Sequence, residues 1–295
     1  MSLVLLATVL AGCTNLFFYP MRQQVLDPQK LGLAKNDVVL AAADGTQLFA
    51  WHLAASDPRG VVCFFHGNAE NISTHIVNVA WLPEAGYEVL LVDYRGYGAS
   101  HGKAEFPAVL ADVRAGLDWC IARARATGIP AYALGQSLGA AMLLDVVAAD
   151  PYRDELAAVV ADSGFSSYRR IARDALANSW LLWPLRHPLS WLVTGDHAPE
   201  QAARELDDLP LLVMHSPDDR VVPWSHALRI FAAASGPRCF LATGGPHNAA
   251  LGARSPQREA WRSALLAFLQ DARDARASGG SVVCRPPLLD QAPDQ

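Results

Sequence analysis

Short apolar runs alternate with stretches of helical periodicity along most of the chain. The runs that predict buried strands lie at 61–65, 89–92, 131–134, 157–161, 211–215 and 239–242. After the second run, ADVRAGLDWCIA repeats apolar residues at helical spacing, at Val113, Leu117 and Ile121. Ahead of the first run, VVLAAADGTQLFAWHL predicts an antiparallel hairpin that turns at Asp44 and Gly45. This alternation predicts an α/β fold, with a mostly parallel sheet covered by helices on both faces.

The segment Gly135-Gln136-Ser137-Leu138-Gly139 lies between the strand at 131–134 and an Ala- and Leu-rich helix predicted at 138–149. A G-x-S-x-G pattern in a strand–turn–helix setting indicates a nucleophile elbow, whose tight turn requires small residues such as Gly135 and Gly139. The hydroxyl would then stand at a helix N-terminus, which favours developing negative charge. We expect Ser137 to be a nucleophile; the alternative is a glycine-rich connection whose serine takes part in no chemistry.

A base and an acid follow in the chain. Asp218 and Asp219 come just after the strand at 211–215, and His247 lies in the glycine loop after the strand at 239–242. The order Ser, Asp, His is that of α/β-hydrolases, in which the imidazole activates the serine and the carboxylate orients the imidazole. We prefer Asp219 as the acid because it directly precedes the Val221-Val222-Pro223 run. Asp218 is interpreted as a loop-capping or solvated carboxylate.

Backbone N–H groups would complete the site. His66-Gly67-Asn68 follows the strand at 61–65, where such folds place one oxyanion donor, and the second comes from the residue after the nucleophile. The expected donors are Asn68 or Ala69, together with Leu138. Other polar residues at strand ends receive structural interpretations: Asp93 and Arg95 brace a glycine loop, and His66 and His215 lack the chain position of the base.

Five of these segments together resemble the α/β-hydrolase superfamily: HGNAEN, DYRGYG, GQSLGA, HSPDDRVVP and GGPHN. They are most similar to bacterial membrane-anchored serine hydrolases grouped with serine aminopeptidase-like and abhydrolase-domain acyl hydrolases. The resemblance runs from about residue 36 to 269 and implies Ser137, Asp219 and His247 as nucleophile, acid and base. Two positions depart from the family pattern: Gln136, where many members carry histidine, and Ser216, where glycine is common.

Residues 165–208 separate two predicted strands by far more than the usual connection of about 2–6 residues. This lid segment contains RRIARDALANSWLLWPLRHPLSWLV, rich in tryptophan, arginine and proline. We interpret it as a small helical lid over Ser137. Its tryptophans, Trp180, Trp183 and Trp191, would line an apolar pocket or rest on a membrane. Packing of these tryptophans on the domain is the alternative.

The N-terminal run LVLLATVLAGC ends in Leu10-Ala11-Gly12-Cys13, which resembles the bacterial lipobox. The resemblance implies a signal peptide at 1–12, cleavage before Cys13 and lipidation of that cysteine. The run is shorter than the roughly 20 residues of a transmembrane helix. It also lacks the preceding Lys or Arg of secretory signals, so a buried N-terminal element is the alternative. We expect a linker at 13–35, one hydrolase domain at 36–271 and a flexible tail at 272–295, in a protein that is lipid-anchored in the bacterial envelope and faces the periplasm.

Composition narrows the function further. A hydrophobic content of 52% supplies a large core, and a net charge of −5 without a Lys/Arg cluster argues against nucleic-acid binding. Metal-type Cys/His spacing and a phosphate loop are missing from the sequence, so no cofactor is implied. A Cys239–Cys284 bridge can form in an oxidising compartment, but spacing does not decide it. We expect a serine hydrolase of carboxylic esters or related acyl bonds; a peptidase or amidase, a protein-lipid thioesterase and a non-catalytic envelope scaffold are the alternatives.

Overall fold

The computed structural model describes residues 17–149, 151–177, 180–252 and 257–291. The expected signal peptide at 1–12 and the expected lipidation site, Cys13, lie outside these residues. The strands are β1 (Lys35–Ala41), β2 (Gln47–Leu53), β3 (Gly60–Phe65), β4 (Tyr87–Val92), β5 (Ala131–Gln136), β6 (Leu156–Asp162), β7 (Leu211–His215) and β8 (Arg238–Ala242). They form one sheet in the order β1-β2-β4-β3-β5-β6-β7-β8.

Helices connect the strands. They are α1 (Ile72–His75), α2 (Leu110–Thr127), α3 (Leu138–Ala148), α4 (Tyr152–Glu155), α5 (Tyr168–Ala177), α6 (Arg186–Ser190), α7 (Pro199–Ala202), α8 (Trp224–Ala233) and α9 (Arg258–Ser278). Short 3₁₀ turns lie at Pro28–Leu31, Ile76–Asn78, Trp183–Leu185 and Ala203–Glu205. In the described ranges, no helix combines the length and the apolar character needed to cross a bilayer.

The sheet is parallel except at one end. β2 pairs antiparallel with both β1 and β4, and the neighbours from β4 through β8 all pair in parallel. The hairpin expected at Asp44 and Gly45 joins β1 to β2, and Gly45 adopts the left-handed φ of +82° that this turn requires. The expected α/β fold is therefore confirmed.

The sheet separates two apolar layers. In β3, Val61, Cys63 and Phe65 face the layer that contains α2, α3 and α8, whereas Val62 and Phe64 face the layer that contains α1 and α9. Because successive side chains of a strand point to opposite faces, a wholly apolar strand needs a cover on both sides. Burial of both faces fixes the sheet rigidly, and the loops at its carboxyl-end edge are held in place.

The lid segment (165–208) leaves the sheet after β6 and returns at β7. Its first helix, α5, is anchored by Tyr168, which is buried and packs edge-on against Phe165 and tilted against Phe106. Beyond α5 the chain turns outward: Trp180 and Trp191 are exposed. The lid segment thus contains helices, with a packed base and an exposed far end.

The residues expected to form an N-terminal linker are packed where the structure describes them. Phe18 is buried, and Pro20 forms an isolated bridge with Glu70 in the loop after β3. The Asn71 side-chain amide donates to the carbonyls of Met21 and Gln23. This part of the chain is fixed because the Phe18 ring is buried and the carbonyls of Met21 and Gln23 accept hydrogen bonds from the loop after β3. Residues 18–23 of the expected linker are therefore attached to the domain.

Where the structure describes the expected tail at 272–295, the chain is partly helical and partly bonded to β8. Helix α9 continues to Ser278, and Cys284 is joined to Cys239 of β8 by a disulfide with a Cα–Cα distance of 5.5 Å. Leu289 then exchanges two backbone hydrogen bonds of 2.8 Å with Phe240. The lack of apolar periodicity after residue 278 predicted a flexible segment. Backbone pairing with an edge strand does not require such periodicity, so the sequence pattern could not reveal it.

Candidate active site

Three side chains converge at the carboxyl-end edge of the sheet. Ser137 follows β5, Asp219 follows β7 and His247 follows β8. Because the carboxyl ends of parallel strands meet at one edge, residues separated by 110 positions become neighbours there. The Nε2 atom of His247 lies 2.9 Å from Oγ of Ser137, and its Nδ1 atom lies 2.6 Å from Oδ2 of Asp219.

The backbone at Ser137 is held in a conformation that L-residues rarely adopt, with φ of +53° and ψ of −115°. The two glycines of the pattern permit this turn. A Cβ on Gly139 would lie 2.2 Å from the carbonyl oxygen of Phe65, and one on Gly135 would lie 2.6 Å from the Cα of Ala140. The Ser137 N–H is satisfied by the carbonyl of Asp162 at 2.8 Å. Strain at a buried, fully bonded position is typical of functional sites.

The Asp219 carboxylate is fixed by backbone donors. Its Oδ1 accepts the N–H groups of Val221 at 2.8 Å and Val222 at 2.9 Å, which leaves Oδ2 to face His247. Burial by itself raises the pKa of this carboxyl, but the hydrogen bonds from His247, Val222 and Val221 outweigh it, and the pKa lies below its usual range. Asp218 is exposed, as its interpretation as a solvated carboxylate requires.

Ser216, the departure from glycine in the family pattern, links two loops of the site. Its hydroxyl donates to the carbonyl of Gly245 at 2.7 Å and accepts the N–H of Asp218 at 3.1 Å. The loop that carries Asp219 is therefore tied directly to the loop that carries His247. The side chain adds a contact between the loops that a glycine cannot make.

One expected oxyanion donor, Leu138, directly follows Ser137, and the other belongs to the loop after β3, in which a Cβ on Gly67 would lie 3.4 Å from Ser137 Cβ. Leu138 is the first residue of α3, so its N–H has no acceptor within the helix. The N–H of Ala69 is engaged by the side-chain oxygen of Asn68 at 2.7 Å, and Ala69 has a left-handed φ of +63°. That same Asn68 oxygen accepts the Tyr97 hydroxyl at 3.1 Å. Of the two candidate donors after β3, the N–H of Ala69 is thus taken up by a hydrogen bond to the Asn68 side chain. We therefore prefer the backbone N–H of Asn68 as the oxyanion donor.

A network of hydrogen bonds between buried amide and carboxyl groups holds Gln136, the residue before Ser137, in place. Asn78 donates to Gln136 Oε1 at 2.9 Å, Gln136 Nε2 donates to Asp162 Oδ2 at 2.7 Å, and Ser163 donates to Asp162 Oδ1 at 3.0 Å. Burial raises the pKa of Asp162, while the hydrogen bonds from Gln136 and Ser163 lower it in part. Sequence reasoning noted Gln136 only as a departure and missed this network, since no local pattern joins Asn78 to Gln136.

Other histidines near the edge are buried and already engaged. His66 Nδ1 lies 2.7 Å from the Gly67 carbonyl, and His215 Nε2 lies 2.9 Å from the Val222 carbonyl. Burial lowers the pKa of both imidazoles. A Cβ on Gly67 would lie 3.4 Å from both Ser137 Cβ and His75 Cε1, so a third buried histidine flanks the serine loop. Burial also lowers the pKa of His75.

Two charged residues after β4 brace the neighbouring loop, as the sequence indicated. Arg95 donates to Asp112 through both its backbone N–H and its guanidinium and also reaches Asp44 at 2.7 Å. Asp93 accepts the N–H of Ile72 at 2.9 Å, and burial raises its pKa to about 7. Neither residue makes a hydrogen bond to Ser137 or His247 within the described part of the chain.

Comparisons with known proteins identify the family and the fold of the chain. A family model described as serine aminopeptidase, S33, matches residues 56–192, a range that includes Ser137 and ends before Asp219 and His247. The uncharacterized protein Rv2307c of Mycobacterium tuberculosis H37Rv is 30% identical over 235 residues, which is 78% of each chain. The chain belongs to the α/β-hydrolase superfamily.

Two further comparisons place this α/β-hydrolase among related chains. The uncharacterized protein YfhR of Escherichia coli K12 is 29% identical over 264 residues, 88% of this chain and 87% of that one. The structure of the Pyrococcus furiosus esterase Pf2001 superimposes with a TM-score of 0.68 at 21% identity and covers 86% of this chain and 97% of that one. The expected family and fold are thereby confirmed, and hydrolase activity is supported.

Proposed function

We propose that this α/β-hydrolase is a serine hydrolase that cleaves carboxylic esters or related acyl bonds through an acyl-enzyme. The observation that carries the proposal is the continuous line from Ser137 Oγ to His247 Nε2 at 2.9 Å and from His247 Nδ1 to Asp219 Oδ2 at 2.6 Å. The donors around Asp219 hold it ionised, so it accepts a hydrogen bond from the Nδ1–H of His247 and leaves Nε2 free to accept the serine proton.

In the first step the Ser137 oxygen attacks the substrate carbonyl carbon as its proton passes to His247 Nε2. The tetrahedral oxyanion accepts the N–H groups of Asn68 and Leu138, each worth roughly 2.7–4 kcal/mol of barrier lowering in comparable sites. The imidazolium then protonates the departing alcohol, and the acyl group stays on Ser137. Water then attacks the acyl carbon as His247 takes its proton. The bond between the acyl carbon and Ser137 Oγ breaks, His247 returns the proton to Oγ, and a carboxylic acid leaves.

A second candidate, hydrolysis of amide bonds at a free amino terminus, is favoured by one observation, the description of the matching family model as serine aminopeptidase. The same three side chains would serve both reactions. An aminopeptidase also needs an acceptor for the substrate ammonium group. Acyl hydrolysis without that requirement matches the esterase name of the Pyrococcus furiosus neighbour.

A fluorophosphonate probe tests the proposal directly, because it phosphonylates only a serine with an activating base and oxyanion donors. The folded protein should label, Ser137→Ala should not, and Ser278→Ala, at an exposed serine on α9, should label like the parent. Absence of labelling in the folded parent would remove the enzyme proposal and leave the scaffold alternative.

A substrate panel separates the two reactions. p-Nitrophenyl esters of increasing acyl length and aminoacyl anilides are offered to the same preparation, and kcat/KM is compared. Turnover of esters well above anilides supports the acyl hydrolase, and the acyl length with the highest kcat/KM defines the pocket. Faster turnover of anilides with a free amine would replace the esterase proposal by the peptidase.

We also propose, from sequence alone, that Cys13 carries a lipid that anchors the protein in the envelope. Acyl chains in combination hold a soluble domain on a bilayer more firmly than one chain. Metabolic labelling with an alkyne fatty acid should mark the parent and not Cys13→Ala. Equal labelling of both proteins would exclude lipidation at this cysteine.

A further inference from the structure

The far end of the lid segment carries an unusual concentration of exposed aromatic side chains. Trp180 is 89% exposed, Trp191 65% and Trp183 52%, and Leu181 and Leu185 between them are also at least half exposed. Single exposed apolar residues are ordinary on soluble proteins, but a group of five within 12 residues marks a binding surface. Tryptophan in particular favours the boundary between bilayer and water, where its ring meets both environments.

The same stretch is basic in an acidic protein. Residues 168–191 contain four arginines and one acidic residue, Asp174, for a net charge of +3, whereas the whole chain carries −5. The guanidinium of Arg186 lies 4.7 Å from the ring centre of Trp183, so the two side chains form a cation–π contact. Arg173 contacts Asp174 only at 3.9 Å, which leaves its charge largely available to a partner.

A cavity of about 250 Å³ lies between α5 and α6. It is lined by the guanidinium-bearing side chains of Arg169, Arg170 and Arg173, together with His187 and Trp191. The Nε atom of Arg170 is buried and has no hydrogen-bond partner within the described residues. Arginine groups arranged around a cavity fit the oxygens of a phosphate group, and Trp191 places an apolar side chain at the same cavity.

The base of the lid segment holds this surface in position. His226 of α8 contacts Asp174 at 3.0 Å, Arg170 contacts Glu200 at 3.2 Å, and the buried Tyr168 packs against the core. The segment leaves the carboxyl end of β6 and returns to the beginning of β7, so both of its ends are fixed by the sheet.

We propose that residues 168–177 and 180–191 form a docking surface for an anionic phospholipid bilayer. The tryptophans enter the headgroup region, and the arginines pair with lipid phosphates, one of which occupies the cavity between α5 and α6. A zwitterionic bilayer can take up the tryptophans, but it has no net negative charge to attract the arginines. Tight binding therefore depends on anionic lipid. The surface is independent of the catalytic proposal, because none of its residues takes part in the acyl-transfer steps.

Vesicle co-sedimentation of the full chain tests this surface. All proteins carry Cys13→Ala, so that no acyl chain contributes, and vesicles are pure phosphatidylcholine or contain about 30 mol % phosphatidylglycerol. The tryptophan variant is Trp180→Ser/Trp183→Ser/Trp191→Ser. The charge variant is Arg173→Gln/Arg186→Gln, which spares the arginines bonded to Val193 and Glu200.

Matched controls remove the same properties elsewhere. Arg125→Gln/Arg273→Gln takes two positive charges from α2 and α9, and Val39→Ser/Val283→Ser removes two exposed apolar side chains far from the lid segment. Thermal unfolding of every protein checks that the fold is retained. Sedimentation velocity without vesicles reports self-association.

The parent should bind the anionic vesicles much more tightly than the zwitterionic ones. The charge variant should lose about 30-fold in affinity for anionic vesicles, the value for two arginines at a charged surface. The tryptophan variant should lose at least about 10-fold, and both controls should bind like the parent. Equal binding to both vesicle types, or lid variants no weaker than their controls, overturns the proposal. Self-association of the parent that the tryptophan variant abolishes overturns it too, since the surface would then join two copies.

Discussion

The Nε2 atom of His226 lies 3.0 Å from Oδ2 of Asp174, and this contact joins the lid helix α5 to α8. On its other side the imidazole receives the backbone N–H of Ser166 at Nδ1, also at 3.0 Å. A backbone N–H can only donate, so Nδ1 is an unprotonated acceptor and the ring proton sits on Nε2, directed at Asp174. The neutral form of His226 thereby holds the start and the first helix of the lid segment together.

This arrangement makes stability depend on pH. Burial, only partly offset by Asp174, lowers the pKa of His226 from 6.5 to about 4. The unfolded chain binds a proton below pH 6.5 that the folded protein accepts only near pH 4, so the free energy of unfolding falls as pH falls through this interval. The loss attributable to His226 amounts to at most about 3 kcal/mol. Urea unfolding between pH 4 and 7 measures it, and His226→Gln should show a shallower slope. Identical slopes in the two proteins would contradict the assignment.

Asp219→Asn should lower turnover steeply and keep the fold. The amide retains an oxygen for the N–H groups of Val221 and Val222, but its NH₂ group now faces His247 Nδ1. The imidazole must then carry its proton on Nε2, where it cannot accept the Ser137 proton, and kcat should fall about 10³- to 10⁴-fold. Ester hydrolysis under saturating substrate gives the value.

Asp218→Asn is the matched control for this substitution, because its side chain is exposed one residue away. It should retain kcat within about 3-fold, as is usual for surface changes. Loss of activity in Asp218→Asn with activity kept in Asp219→Asn would exchange the roles of the two residues.

Gly139→Ala should prevent folding or destabilise the protein by at least about 3 kcal/mol. The added methyl would lie 2.2 Å from the Phe65 carbonyl oxygen and 2.5 Å from that of His66, and both are backbone atoms that cannot rotate away. Gly280→Ala is the control, since its nearest neighbour is the rotatable Ser278 hydroxyl at 3.2 Å. Denaturant midpoints compare the two, and equal midpoints would show that the turn is looser than described.

The Cys239–Cys284 disulfide should be detectable by thiol titration. In denatured, unreduced protein, Cys63 and Cys120 should react and this pair should not. Closing a loop with a sequence separation of 45 residues stabilises a fold by about 4 kcal/mol in the chain-entropy model. Cys284→Ser should lower the unfolding temperature accordingly, and reductant should lower that of the parent but not of the variant. Reaction of all these thiols without reductant would exclude the bridge.

Much of the fold could be predicted because its signals are local. Each parallel strand is an apolar run that ends at glycine or polar residues, and the chain order of Ser137, Asp219 and His247 needs only strand direction to bring them together. The preference for Asp219 over Asp218 rested on one neighbouring run. The structure gives its physical basis, which is the pair of N–H groups of that run aimed at Asp219 Oδ1.

What escaped prediction depends on contacts between distant segments. The burial of His226 requires Ser166 and Asp174 to meet it from two other elements, and nothing in its own neighbourhood indicates this. The Asn78–Gln136 hydrogen bond spans 58 residues and left no local pattern. Periodicity reports which face of an element is covered, but not which polar atom on another segment covers it.

β8 is the last strand of the sheet, and the loop bearing His247 grows directly from it. An uncovered edge strand presents unpaired backbone groups to which a neighbouring molecule can hydrogen-bond. Aggregation by this route would disrupt the active site. Here Leu289 occupies the Phe240 backbone groups, and a covalent bond secures the covering residues. The C-terminal segment thus covers the edge strand β8. Truncation of the chain before residue 284 would expose this strand to pairing with another molecule.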